Sequence, residues 1–274
     1  GLLQPVTRSV PSGKPLAARR SGFYQYYVLF LLTVAYTLSF LDRQIIAIIS
    51  PALKNDLQLS DSELGLLKGL AFALLYAVLA IPIAHYADRS SRKLIVGAAV
   101  AVWSLMTAAS AFAGNFLQLL VLRIGVGIGE AGGTAPSTSI ISDYFPRELR
   151  ARALSFFSIG IPAGMMIAYM LGGWLTEEYS WRAALLAAGA PGLLVAALII
   201  FTVQEPGRGA LDAVGAPDDS AEDRPGVLAA ARQLFSIPSY TYAAIALAAA
   251  SFSANGVGTW LVDFFARSHP DYPL

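Results

Sequence analysis

The sequence predicts an all-α membrane protein: six membrane-crossing helices in one bundle, a polar linker, then a seventh crossing. Three observations carry this expectation. Hydrophobic residues make up 56% of the 274 positions and charged residues only 14%, against roughly 25% charged in an average soluble protein, and mean hydropathy is +0.59. The apolar residues fall in runs close to the ~20 residues a helix needs to cross ~30 Å of hydrocarbon. Lys and Arg alternate between crowded and nearly empty gaps separating those runs, the asymmetry that orients multi-pass proteins.

The runs lie at Tyr24 to Ser50, Leu64 to Tyr86, Leu94 to Ala113, Phe116 to Ser142, Ala153 to Thr176, Arg182 to Val203 and Tyr240 to Phe265. They lack the polar face that a helix of a soluble bundle would show. Pro51 closes the first gap together with Ser60-Asp61-Ser62-Glu63, a capping-box pattern that starts the next helix. Short polar gaps among the first six make consecutive helices antiparallel neighbours. Pro136, Pro162 and Pro191 interrupt the fourth, fifth and sixth runs, where each removes a backbone hydrogen bond and lets the helix bend. Gly160 and Gly164 beside Pro162 are expected at close helix contacts, and Met165, Met166 and Met170 in pliable core packing. In the seventh run Asn255, Gly256, Gly258 and Asp263 form a polar, breakable stretch.

From Gln204 to Ser239 the composition changes to Gly, Pro, Asp and Glu, a flexible, hydrated linker. The organisation is therefore a tail over 1–23, a six-helix transmembrane domain over 24–203, an inter-domain linker over 204–239, and over 240–274 the first helix of an incomplete second domain. Arg8, Lys14, Arg19 and Arg20 precede the first crossing; Arg89, Arg92 and Lys93 fill the second gap; Arg147, Arg150 and Arg152 fill the fourth; Arg208, Arg224 and Arg232 lie in the linker. The odd gaps hold only Lys54 and Arg182. The positive-inside rule then puts the N-terminus and the linker in the cytoplasm of a multi-pass protein of the cell inner membrane. The first run is too long for a signal-peptide core and is expected as a retained helix.

Several function classes are excluded on chemistry. A formal net charge of +1 without a clustered basic face argues against a nucleic-acid partner. With no cysteine, disulfides, thiolate metal sites and cysteine nucleophiles fall together. Ser, His and acidic residues show no hydrolase spacing, and His85 and His269 sit at crossing ends without metal-ligand partners, so neither an enzyme nor a cofactor or metal is expected. Gly127, Gly129 and Gly132 satisfy G-x-G-x-x-G, but inside a membrane-length run with no preceding strand, where glycines serve close helix approach.

What remains is the charged set of the first and fourth apolar runs: Asp42 and Arg43 in the first, Arg123 and Glu130 in the fourth. Charge at mid-bilayer persists only where it is paired or faces a wet cavity. At ~1.5 Å per residue, Asp42 and Arg123 lie at similar heights, and Glu130, nearly two turns on, falls on the stripe of Arg123 about 10 Å closer to the cytoplasm. A movement that withdrew the guanidinium would favour proton uptake by a carboxylate. Asp42 and Glu130 are thus the expected proton-coupling pair, and Arg43, Arg123 and Glu130 the expected substrate contacts. A static set of ion pairs fixing helix packing is the competing reading.

The loops carry motifs. Ala84-His85-Tyr86-Ala87-Asp88-Arg89-Ser90-Ser91-Arg92-Lys93 resembles the G-x-x-x-D-R-x-G-R-[RK] signature of the major facilitator superfamily, with Ala84 and Ser91 in place of its glycines. Arg123, Gly127 and Gly129 follow its R-x-x-x-G-x-G pattern, Asp143 to Arg152 is similar to its charged loop before the fifth helix, and Gln204-Glu205-Pro206-Gly207-Arg208 to its P-E-S-P-R stop. Phe40-Leu41-Asp42-Arg43 with Arg123 and Glu130 resembles the spinster family within it.

The resemblance implies two six-helix halves, each of two inverted three-helix repeats, with the C-terminal half as missing partner. It also implies Asp88, Arg89, Arg92, Glu148 and Arg152 as a cytoplasmic gate, and secondary transport of a lysolipid-like or sphingosine 1-phosphate-like anion, proton-linked in bacterial relatives. A carrier for drugs or small organic anions, and a non-transporting membrane module or fragment, are the alternatives.

Overall fold

The computed structural model describes residues 22–87, 90–207, 209, 211 and 232–268. Among them there are helices and no strand. Helix α1 is Gly22–Leu57; α2 runs over 61–87 as Asp61–Gly65, a π-helical turn Leu66–Leu70 and Ala71–Ala87. Helix α3 is Arg92–Ser110, α4 Phe116–Tyr144, α5 Arg147–Glu178, α6 Trp181–Thr202 and α7 Pro238–Ser268. Six of these, all but α2, are long and apolar enough to cross a membrane.

The first helix overruns its expected end at Pro51 and continues to Leu57. A proline at position 51 leaves the Ala47 carbonyl without its intrahelical donor, and the Ser50 hydroxyl lies 2.7 Å from that oxygen and can donate to it. The helix stops instead at Gln58, whose φ of 52° is left-handed, and the Leu59 amide closes back on the Lys54 carbonyl at 3.1 Å, the 6→1 bond of a Schellman cap. Ser60 and Glu63 then form the capping box anticipated from the sequence, the Glu63 amide donating to Ser60 Oγ and the Ser60 amide to the Glu63 carboxylate.

Prolines break two of the other helices. Helix α4 consists of Phe116–Glu130 and Thr134–Tyr144, separated by a turn over 131–133 in which Gly133 N donates to Glu130 O at 3.0 Å; Pro136 cannot donate to the Gly132 carbonyl there. Helix α5 breaks at Ile159, where Pro162 cannot donate to the Ser158 carbonyl. Helix α6 carries Pro191 without interruption.

Small residues set how closely the helices approach. Gly160, Gly164, Ala168 and Gly172 form a buried stripe of α5 at every fourth position, and a Cβ on Gly164 would meet Thr37 O of α1 at 2.3 Å. Such spacing lets backbones meet. Gly189 of α6 lies against Ala108 N and Ser104 O of α3, and Gly129 of α4 against Trp103 N of the same helix. Because the glycine stripe faces α1, the methionines point elsewhere: Met166 and Met170 are exposed and Met165 half-buried, so they are not the core packing that the sequence led us to expect.

The apolar core falls into two clusters. The one nearer the N-terminal end of α1 includes Val28, Leu32, Val100, Trp103, Ile140, Phe157 and Ile199; the distal one includes Ile45, Ile49, Leu53, Leu64, Leu119, Trp181 and Leu185. Asp42, Arg123 and Glu130 are buried in the helices that run through both clusters.

Candidate functional site

The four intramembrane charges of α1 and α4 come together in two pairs. Arg43 Nε donates to Glu130 Oε2 at 2.5 Å, and Arg123 Nη1 reaches Asp42 Oδ1 at 3.3 Å. Adjacent residues of α1 therefore grip residues seven apart on α4, which share one stripe because seven residues are nearly two turns. Ser39 Oγ adds a 3.2 Å bond to Glu130 Oε2, and Thr107 Oγ1 of α3 donates to Asp42 Oδ2. Arg123 also points Nη1 at the Asp42 carbonyl, 3.4 Å away.

The members differ in access. Side chains of Asp42, Arg123 and Glu130 are 3% exposed or less, whereas that of Arg43 is 24% exposed. Its guanidinium lies 4.9 Å from the ring centroids of both Phe40 and Tyr76, and stacking on aromatic faces favours a cation there. Arg123 stands behind Asp42, walled off in this conformation. Arg123 Nε, Arg123 Nη2 and Glu130 Oε1 are buried without a hydrogen-bond partner among the described residues. Beside Glu130, a cavity of 10 Å³ lined by Ser39, Thr134, Ser137 and Trp103 is close to the space of one water molecule. The layer thus offers a proton acceptor with a free oxygen and one cation that solvent can reach.

Sequence reasoning placed the charges but not the residues that fix them. Thr107 and Tyr76 read as ordinary members of apolar runs, and only the three-dimensional meeting of α1 with α2 and α3 puts them on Asp42 and Arg43.

The residues expected at the cytoplasmic gate separate. Asp88 and Arg89 lie outside the described residues. Arg92 is buried and bonds inside the bundle: to Asp143 of α4 at 2.5 Å, to Glu205 at 2.8 Å, to Ser139 Oγ at 2.8 Å and to Pro206 O at 3.0 Å. Glu205 in turn caps α3, accepting from the Lys93 amide and from Ser91 Oγ. Glu148 and Arg152 are exposed and form no ion pair among the described residues. Arg152 instead lines a groove of 520 Å³ between α1 and α5, with Tyr26, Leu29, Phe30, Phe145 and Phe156, an apolar wall with one cation.

A second charged cluster lies at the distal end, where α7 touches the bundle. Lys68, on the π-helical turn of α2, pairs with Asp263 of α7. Arg267 bonds Asp61 at 2.6 Å, as does Lys54. Asp263 was anticipated as part of a polar stretch, but Lys68 carried no signal beyond being a lone lysine in an apolar run.

Comparison with known proteins agrees with this architecture. Residues 32–272 match the family model of the Major Facilitator Superfamily. The chain is 36% identical to protein spinster homolog 1 of Xenopus laevis over 69% of this chain and 37% of that one. It is 31% identical to the sphingosine-1-phosphate transporter of Danio rerio over 87% and 47%, and 31% identical to an MFS-type efflux pump of Mycolicibacterium smegmatis over 63% and 40%. It superposes on the crystal structure of a bacterial homolog of the human lysosomal transporter spinster, inward-facing and unoccupied, with a TM-score of 0.82 and 35% identity over 92% of this chain and 58% of that one. The chain spans about half the length of the curated relatives it matches. With its all-helical bundle, its intramembrane charged layer and a family match over most of its length, the chain belongs to the Major Facilitator Superfamily.

Proposed function

We propose that the chain is the first half, with the first helix of the second, of a proton-coupled secondary carrier that moves an amphipathic anion by alternating access. The observation that carries this reading is the Arg43–Glu130 pair: a buried carboxylate held by the one guanidinium of the layer that solvent reaches. An anionic head group arriving at Arg43 competes with Glu130 for the same donors, and Glu130, losing its countercharge, takes up a proton. Asp42 and Arg123 form the second, fully buried pair; Arg123 acts through Asp42 and reaches substrate only if that pair opens. The exchange ties substrate binding to protonation with no further group.

An apolar tail on the substrate is supported by the aromatic groove under Arg152, and a lipid anion by the likeness to a sphingosine-1-phosphate transporter. The likeness to an efflux pump favours a second reading, in which the same charge exchange serves a drug or small organic anion. In either case the Lys and Arg asymmetry supports a cytoplasmic N-terminus in the inner membrane. The α7 contact at the distal end then belongs to an inward-facing state, and Arg92, Glu148 and Arg152 lie on the cytoplasmic side.

Flux of a fluorescent lysolipid analogue and of protons into vesicles holding the full-length protein tests this. We expect coupled flux in the wild type, and Asp42→Asn and Glu130→Gln to uncouple protons from substrate. Proton dependence unchanged in both variants overturns the coupling mechanism; competition by organic anions but not by lysolipids selects the second reading.

A further inference from the structure

We propose that Lys68, Asp263 and Ser50 form the outer lock of the transport path, the contact that has to break before the side opposite the N-terminus opens. The proposal rests on the carrier reading for the existence of a path, but its evidence is separate. Along α7, Asp263 is the one buried residue among those whose burial is described, and residues 245–257 are exposed throughout. The bundle therefore holds α7 near its distal end, by this buried pair and by the exposed Arg267–Asp61 pair one turn further on.

That site is built as an ion pair in a dry seam. The Lys68 and Asp263 side chains are 1% and 6% exposed. The ammonium has three donors: it meets the Asp263 carboxylate, lies 3.4 Å from Thr259 O and sits 4.5 Å from the Trp260 ring centroid. Lys68 occupies a π-helical turn within α2, and such single-turn widenings are frequent at functional positions because they displace one side chain from the regular spiral.

Ser50 supplies the release. Its oxygen lies 3.1 and 3.2 Å from the two Asp263 carboxylate oxygens and 2.7 Å from Ala47 O, the carbonyl that Pro51 orphans. A hydroxyl has one proton, so it serves one acceptor at a time. When α7 leaves, that proton has a waiting acceptor within its own helix, and no donor is stranded. The two ions behave oppositely. Separated into an opened, hydrated mouth they regain water, whereas removal of one while the seam stays shut leaves the other as an uncompensated buried charge. The pair therefore favours closure only when complete.

The test reads distances, not transport. In the full-length protein, spin labels at Ser62→Cys on α2 and Ser268→Cys on α7, both exposed, report the distal mouth by electron-electron double resonance; this chain contributes no cysteine of its own. Lys68→Ala and Asp263→Ala should each raise the open-to-closed ratio at least about tenfold. Lys68→Met with Asp263→Leu, which removes both charges, should return it towards the starting value. Ser50→Ala strands no charge and should shift the ratio in the same direction by about threefold, which keeps the proposal testable if the single alanines do not fold. Unchanged distances in the variants, or a double variant as open as the singles, overturn the lock. Because no substrate enters this measurement, a failed lysolipid assay leaves its outcome intact, and a lock that fails leaves the charge exchange at Arg43 untouched.

Discussion

Arg43 and Glu130 meet across the seam of α1 and α4 at 2.5 Å, one side chain a quarter exposed and the other enclosed. Glu130→Gln keeps the shape and still accepts from Ser39, but it does not titrate. Substrate flux measured against pH should lose its pH dependence in this variant while the protein stays folded.

Whatever their part in coupling, Asp42 and Arg123 should also support each other's burial. Asp42→Ala leaves Arg123 charged and unpaired in a closed seam, a change that costs ~3–5 kcal/mol. Asp42→Leu with Arg123→Met should recover most of it. Thermal unfolding of the purified full-length protein in one detergent compares them.

Close approach of α5 to α1 depends on Gly164. A methyl there meets the Thr37 carbonyl at 2.3 Å and the Leu41 amide nitrogen at 2.9 Å, backbone atoms that do not yield, so Gly164→Ala should cost ~1–3 kcal/mol. Gly173→Ala, with nothing within 4 Å, should fall within ~0.5 kcal/mol of wild type. The same melting measurement separates the two.

Asp61, the first residue of α2, has its carboxyl held below the ordinary value of 3.8 by the Lys54 bond first and the Arg267 bond second. A depressed carboxylate contributes its contact above that ordinary value and loses it as pH falls through the lowered one. Contact between Arg267 and Asp61 should therefore be constant from pH 7 to about pH 4 and weaken only below. Because the group is fully exposed the change in the α2–α7 distance should be small; spin-label distances at pH 7 and pH 3 measure it.

Hydropathy and charge spacing made the crossings and the charged layer legible, because twenty apolar residues in sequence and a lone Arg123 among them admit few other structures. Boundaries were less legible. Pro51 looked like a stop because the rescue of Ala47 O by Ser50 is a local detail of one rotamer that residue type alone does not fix, and the methionines looked like core because the facing stripe Gly160, Gly164, Ala168 and Gly172 decides which side of α5 is inward. Thr107, Tyr76 and Lys68 were invisible for a common reason: each acquires its role from a partner more than thirty residues away.

The clamp of Arg92 and Lys93 on Glu205 and Pro206 has a mechanical corollary. The polypeptide leaving α6 is riveted to the foot of α3, and its Gly209 amide donates to Asp143 of α4 at 3.1 Å, so the tether leading to α7 starts after residue 209 and not at the helix end. Arg92→Ala removes the bonds to Glu205 Oε1 and Pro206 O but keeps the Lys93 amide on Glu205 and the Gly209 amide on Asp143, so it loosens the rivet without touching a single membrane-embedded contact of α7.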